Sequence, residues 1–181
     1  GSPADGIHIS SLEFFNFKPD LVISGINNGY NLGTDIFYSG TVAGAREGLL
    51  HRIPSISLSA DYNVESINYY KISKFIHEFI VKNQPIFIDM HKNNYFLNFN
   101  FPTKLNFKNI KITNIGSREL SMLPVETINP KGASHYWIGD SGIPVKSNNN
   151  DDDFSAINQG FISVSPITIK NEFDASKITL K

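Results

Sequence analysis

Cysteine is absent from the 181 residues, so disulfide cross-links and thiolate metal ligands are excluded and any metal ion must be held by oxygen or imidazole. Charge of one sign is also lacking: 16 basic residues face 17 acidic ones. With no basic field, binding along an extended nucleic-acid backbone has no electrostatic support, although a small phosphorylated ligand is compatible. No apolar run approaches the roughly 18 residues of a membrane-spanning helix, and the N-terminal residues lack the charged and apolar regions of a secretory signal. A cytoplasmic protein without membrane contact is expected. Several nucleotide and nucleophile motifs are missing too. The Gly-Lys-Ser/Thr ending of a P-loop and the Gly-x-Gly-x-x-Gly of a dinucleotide site do not occur, which speaks against ATP-driven chemistry and NAD binding. Neither a Gly-x-Ser-x-Gly elbow nor a Ser-His-Asp order is present.

What the chain does have is a core-forming composition, 40% hydrophobic and 18% charged, enough for one main domain. Its most telling stretch runs from Ser24 to Thr41, a polar loop with Gly25, Gly29, Gly33 and Gly40 between an apolar strand at Leu21 to Ile23 and a helix over Val42 to Leu50. A further strand follows at Pro54 to Ser59. This strand-loop-helix-strand unit places its polar residues at the carboxyl end of a strand, where α/β proteins bind ligands. Ser2-Pro3-Ala4-Asp5 is a helix start, with a capping hydroxyl, proline in the first turn and a carboxylate near the positive helix end, and the helix is expected to reach about Phe15.

Ile72, Phe75, Ile76, Phe79 and Ile80 recur at spacings of three and four, which predicts an amphipathic helix within 65–82. The apolar run Pro85 to Ile88 and the partly alternating Tyr95 to Phe101 extend the α/β core. After Pro102 turn signals crowd together, at Gly116, Pro124, Pro130 to Gly132 and 139–144, separated by β-rich pieces at Ile110 to Ile115 and His135 to Ile138. A strand-rich extension over about 103–154 is expected, with the core at about 1–102 and 155–168 and a tail at 169–181. The run 148–153 reads as a solvated acidic loop leading into a short helix near Phe154 to Asn158, and Gly160 to Ile167 reads as a last strand.

Within the loop, Ser39, Gly40 and Thr41 stand where the helix begins, so their amides and hydroxyls suit a phosphate. The same residues suit a simple helix cap. Asn27 and Asn31 could offer an amide oxygen to a hard cation or hydrogen bonds to substrate, or serve only as turn formers. Asp35 could be a ligand, but it reads first as a carboxylate bonded to its own loop's backbone. Of the five histidines, His8, His51, His77, His91 and His135, none has a His-x-x-x-His or similarly spaced partner, and all read as structural. His51 ends a helix, where a cation suits the dipole.

The stretch Ser24-Gly25-Ile26-Asn27, Asn31-Leu32-Gly33, Tyr38-Ser39-Gly40-Thr41 and Ala45-Arg46-Glu47-Gly48 closely resembles the signature of the SurE family of metal-dependent nucleotidases. Further blocks follow the family order, among them Gly1 to Asp5, Lys18 to Val22, Leu97 to Pro102, Tyr136 to Gly139 and Gly160 to Ile167. The resemblance implies a three-layer α/β/α Rossmann-like core with a protruding β-hairpin and assembly into homodimers or homotetramers. It also implies hydrolysis of nucleoside 5′- and 3′-monophosphates with one divalent cation, Mn²⁺ or Mg²⁺. Carried over by position, Asn27 matches a metal-ligating asparagine, and Asn31, Ser39, Gly40 and Thr41 match residues around the substrate phosphate. The family's other ligands, two adjacent aspartates and a serine, would stand before Gly1, so the chain reads as the larger part of such a protein. A non-catalytic phosphate-binding or oligomerisation module is the alternative.

Overall fold

The computed structural model describes residues 1–14, 18–62, 68–119, 124–138, 144–145 and 150–169. Strands Val22–Asn28 (β1), Ser55–Ala60 (β2) and Tyr95–Phe101 (β3) lie parallel and adjacent. With Ile110–Ile112 (β4) and Ile162–Thr168 (β7) they form one sheet in the order β1-β2-β3-β7-β4, in which β7 runs antiparallel to β3 and parallel to β4. Helix α1 is Pro3–Ile9, α2 is Gly40–Leu50, α3 is Tyr69–Lys82, α4 is Gln84–Asn93 and α5 is Asp153–Asn158.

Strand side chains alternate between faces, and here the alternation sorts chemistry. Ile56, Leu58, Leu97, Phe99, Phe101, Ile162 and Val164 share one face, while Ser55, Ser57, Ser59, Asn98, Asn100, Ser163 and Ser165 share the other. All of these residues are buried. On the apolar face α3 sets the Phe75 ring edge-on to Phe101 and the Phe79 ring edge-on to Phe99. Full burial of side chains such as Phe99, Phe101 and Ile72 contributes about 1.5–3 kcal/mol each. On the polar face lies α2, which approaches through Gly44 against Ser24 and Gly48 against Val22 and Ser55. The result is the expected Rossmann-like α/β architecture, with helices on both sides of a mixed sheet.

Strands Val125–Ile128 (β5) and Ser134–Trp137 (β6) make a separate antiparallel hairpin whose eight residues are all exposed. Asn129 closes its turn, the Oδ1 accepting from the backbone N–H groups of Lys131 and Ala133.

Several local expectations change. The first helix is α-helical to Ile9 and continues as a π-helical turn over Ser10–Phe14, near its expected end at about Phe15, which with the helix start at Glu65, the turn at 139–143, residues 148–149 and the tail from 170 lies outside the described residues. The apolar run 85–88 sits within α4, because Pro85 occupies the first helical turn and left-handed Asn94 closes the end. The acidic run is not simply solvated: Asp152 and Asp153 are 4% and 0% exposed. Hydrogen bonding explains this, since Asp152 caps α5 by accepting from Ser155 N and Asp153 binds three backbone N–H groups.

Gly48 is the tightest helix-sheet contact. A Cβ there would lie 2.9 Å from the Val22 Cβ and closer still to the Ser55 Oγ. Gly48→Ala should therefore destabilise the fold by about 1–3 kcal/mol through overpacking, despite alanine's better helix propensity, as read from the urea midpoint.

Candidate active site

The site is built at the carboxyl ends of β1, β2 and β3, beginning with an irregularity in β1. Its register to β2 shifts between Ser24 and Asn27. Gly25, at φ +128°, makes this possible, because a Cβ would collide with the Leu58 carbonyl oxygen of β2. The shift delivers Asn27 to the strand end. There its Nδ2 donates to the Gly29 carbonyl at 2.9 Å, which turns the opposite atom, Oδ1, away from the turn as the side chain's acceptor.

Asn31 is held differently. It is 6% exposed, and its Nδ2 donates to Ser59 Oγ at 2.7 Å. Its backbone N–H donates to Asn100 Oδ1 at 2.9 Å, and its carbonyl accepts from Asn98 Nδ2 and Asn100 Nδ2 at 2.9 and 3.0 Å. Ser57 Oγ in turn donates to Asn98 Oδ1 at 2.8 Å. Asn31 thus stands inside the buried polar face of the sheet.

From there the chain enters a short 3-10 helix, Gly33–Phe37, and reaches α2. Gly33 N donates to the Asp153 carboxylate at 2.7 Å; the same carboxylate accepts from Gly116 N and Phe154 N, each at 3.0 Å. Burial pushes the Asp153 carboxyl above the usual range, opposed by these three donors. Asp35 pairs with Arg118 at 2.5 Å, and the Arg118 guanidinium lies 4.9 Å from the centre of the Phe154 ring. Burial also raises Asp35, and the arginine charge works against it. At the end of β2, Asp61 accepts from its neighbour Tyr62 N at 2.7 Å and from the Thr103 hydroxyl. Burial, then the Asp61 charge, push the Tyr30 hydroxyl up to about 12.

Ser39 caps α2, its Oγ accepting from Val42 N at 3.1 Å, and its carbonyl accepts from Ala43 N at 2.9 Å. The two remaining first-turn amides, Gly40 N and Thr41 N, meet no acceptor among the described residues. Such orphan donors at the positive end of an 11-residue helix have the chemistry of an anion cradle. Gly40 has a second reason to lack a side chain, since a Cβ would stand 3.3 Å from Pro3 Cδ of α1.

Ser39, Gly40 and Thr41 are therefore together at one helix end, Asn27 lies at the strand end, and Asn31 is turned into the sheet. Asn27 offers a cation one neutral oxygen, and among the described residues no cluster of three carboxylates or imidazoles forms around it. The described residues alone do not complete a divalent-ion site there. The one such cluster lies elsewhere: His8 Nδ1, Glu47 Oε1 and His51 Nε2 converge, which corrects the reading of these histidines as unpartnered. The Glu47 and His51 spacing of one helical turn was a signal for it. A signal for Asp61 was its place directly after β2. Nothing local in the sequence marked Asp153 or Arg118, whose partners lie far away in the chain. An apolar cleft lined by Ile36, Phe37, Val42 and Phe96 contains none of the loop's candidate residues.

A polar loop between the first strand and a helix with free N-terminal amides defines the class as a Rossmann-like α/β protein with a polar strand-to-helix loop. A family model described as Survival protein SurE matches residues 1–122. "5'-nucleotidase SurE" of Acinetobacter baumannii strain AYE is 38% identical over 177 residues, covering 92% of this chain and 68% of the relative. The protein of that name from Campylobacter concisus is 35% identical over 192 residues, covering 96% and 73%. In three dimensions the chain is similar to the SurE protein of Aquifex aeolicus, with a TM-score of 0.70 and 35% identity over 94% of this chain and 68% of that one. The chain belongs to the SurE family.

Asp153 joins the loop, the Gly116 turn and α5 through one buried carboxylate. Asp153→Ala would strand three N–H donors, and at about 1–3 kcal/mol for each unsatisfied group, partly relieved by water, a net loss of about 3 kcal/mol is expected in chemical denaturation.

Proposed function

We propose that this chain is the larger part of a SurE-type hydrolase, a phosphomonoesterase that releases phosphate from nucleoside 5′- and 3′-monophosphates with the help of one divalent cation, Mn²⁺ or Mg²⁺. The single observation that carries the reading is the pair of orphan amides at Gly40 and Thr41, set at the end of the SurE-like loop. In this reading the substrate phosphate seats on these two N–H groups, and the Thr41 hydroxyl adds a donor. As charge builds on the equatorial oxygens in the transition state, the fixed amides and the helix dipole stabilise it without reorganising. Ser39 keeps the cradle open by holding the next amide, Val42 N, with its own oxygen. Asn31, locked by Asn98 and Asn100, positions the loop between the strand end and the helix.

Asn27 Oδ1 would be one ligand of the cation, and the carboxylate ligands would come from sequence outside these residues. A bound cation would supply Lewis-acid polarisation and an acidified water. β1 is an outer strand of the described sheet, so its free edge is a suitable place for a further strand to bring those ligands beside Asn27. Assembly into a dimer or tetramer is supported by the hairpin, where Val125, Ile128, Trp137 and Ile138 are all more than half exposed. No helix among the described residues is long and apolar enough to cross a membrane, and we place the enzyme in the cytoplasm. A second reading, phosphate binding without cleavage, is favoured only by the incomplete ligand set at Asn27.

The test is phosphate release from AMP and its 3′ isomer by the intact gene product, with Mn²⁺ and with chelator. Metal-dependent release from both isomers is expected, and saturable binding without release would favour the second reading. Asn27→Ala should lower kcat at least about a hundredfold, as for loss of a principal electrostatic group. Near-normal turnover at saturating Mn²⁺ would refute Asn27 as a ligand.

A further inference from the structure

Outside the loop, three side chains from two helices meet at one point. His8 Nδ1 lies 2.8 Å from Glu47 Oε1, His51 Nε2 lies 3.2 Å from the same oxygen, and the two ring nitrogens are 3.1 Å apart. The rings meet edge to face, with centroids 5.0 Å apart and planes crossing at 61°. Protons alone serve this triangle poorly. Each ring nitrogen can aim at most one hydrogen inward and the ionised oxygen none, so at most two of the three edges can be hydrogen bonds. A cation receives all three lone pairs at once.

The dimensions fit. Donors held about 2.0–2.1 Å from Zn²⁺ are separated by about 3.3 Å in a tetrahedron and about 2.9 Å at a right angle, close to the three edges observed. His8 is half exposed, so solvent can supply a fourth ligand. Two imidazoles and one carboxylate select a borderline-soft ion over Mg²⁺ or Mn²⁺, which prefer oxygen. The cluster is also remote from the cradle. Glu47 is seven residues along α2 from Gly40, or about 10 Å at 1.5 Å rise per residue, and the negative end of the helix there favours a cation.

We propose that His8, Glu47 and His51 form a site for a late first-row divalent cation, Zn²⁺ above all, which clamps α1 onto α2. The clamp has a mechanical purpose. α1 buries none of its own residues and touches α2 at its start through Pro3, which fits against Gly40 and Gly44. The cluster fastens its other end, so an ion there would secure the helix whose Pro3 packs beside Gly40 at the start of α2.

Calorimetric titration of Zn²⁺ into the metal-free protein, made in an Asn27→Ala background so that the loop contributes no binding, tests this directly. One saturable site per chain is expected, with affinity reduced about a hundredfold or more in His8→Ala and in His51→Ala. Co²⁺ should give the intense visible bands of a four-coordinate site, and Zn²⁺ should raise the melting temperature of the parent but not of the His8→Ala/His51→Ala double variant. Both histidines lie at the surface side of the helix pair, and unchanged far-UV circular dichroism would establish that the variants fold. Absence of saturable binding, or binding that survives in the folded double variant, would overturn the site.

Discussion

The arrangement of the loop depends on a sheet face that is polar and yet completely buried. Ser57, Ser59, Asn98 and Asn100 project from β2 and β3 beneath the loop, and with no water available their hydrogen bonds must be made internally. Ser59, Asn98 and Asn100 bond the Asn31 main chain and side chain, and Ser57 bonds Asn98. The network leaves little choice of loop position, because any shift of Asn31 would strand several donors and acceptors at once. The same face continues across the sheet, where Thr113 shares hydrogen bonds with Ser163 and Ser165. Cohesion on the opposite face comes from stacked and crossed phenylalanines, which supply stability but no directional demand. Stability and precision are thus divided between the two sides of the same strands.

That division explains what could be read from the sequence. Alternation in Ser55 to Ser59, Leu97 to Phe101 and Ile162 to Ser165 marks strands correctly, but the usual inference that the polar side faces water fails here. Period alone cannot separate a wet face from a buried network; only the presence of α2 over it does. Local signals served well where the cause was local: the Ser2 to Asp5 capping box, the helical spacing at Ile72 to Phe79, and the Ser39 cap. They failed where the cause was distant. Asp153 lies in an acidic run that suggests solvent, but its three partners come from the loop, the Gly116 turn and its own helix. His8 and Glu47 are 39 residues apart, and nothing in either neighbourhood announces the other.

Helix α2 connects these parts. Its first turn presents free amides, it passes over β1 and β2 through Gly44 and Gly48, and its last turn and C-cap carry Glu47 and His51. A side chain at either glycine would lift the helix from the sheet and tilt the amides away from the strand ends. Gly40 and Gly44 also make room for Pro3, so α2 is packed against α1 as well as against the sheet. The many glycines of the segment are thus largely packing requirements, and only part of the Ser24 to Thr41 pattern concerns the ligand itself.

The acidic groups around the loop complete the electrostatic argument. In the proposed enzyme the loops around the phosphate site carry Asp35, Asp61 and Asp153, and bare carboxylates there would ordinarily repel its ligand. Each carboxylate, however, is turned to other work: Asp35 faces Arg118, Asp61 takes the Thr103 hydroxyl and Tyr62 N, and Asp153 absorbs three backbone N–H groups. Donors clustered on these oxygens offset their field at short range, so the unsatisfied positive ends at Gly40 and Thr41 govern what an approaching anion meets. The arrangement also separates the tasks of a phosphatase site. In the proposed enzyme the chain described here would supply anion recognition and one neutral oxygen at Asn27 while its own carboxylates stay occupied, so a catalytic cation would depend on carboxylates brought from elsewhere to the open edge of β1.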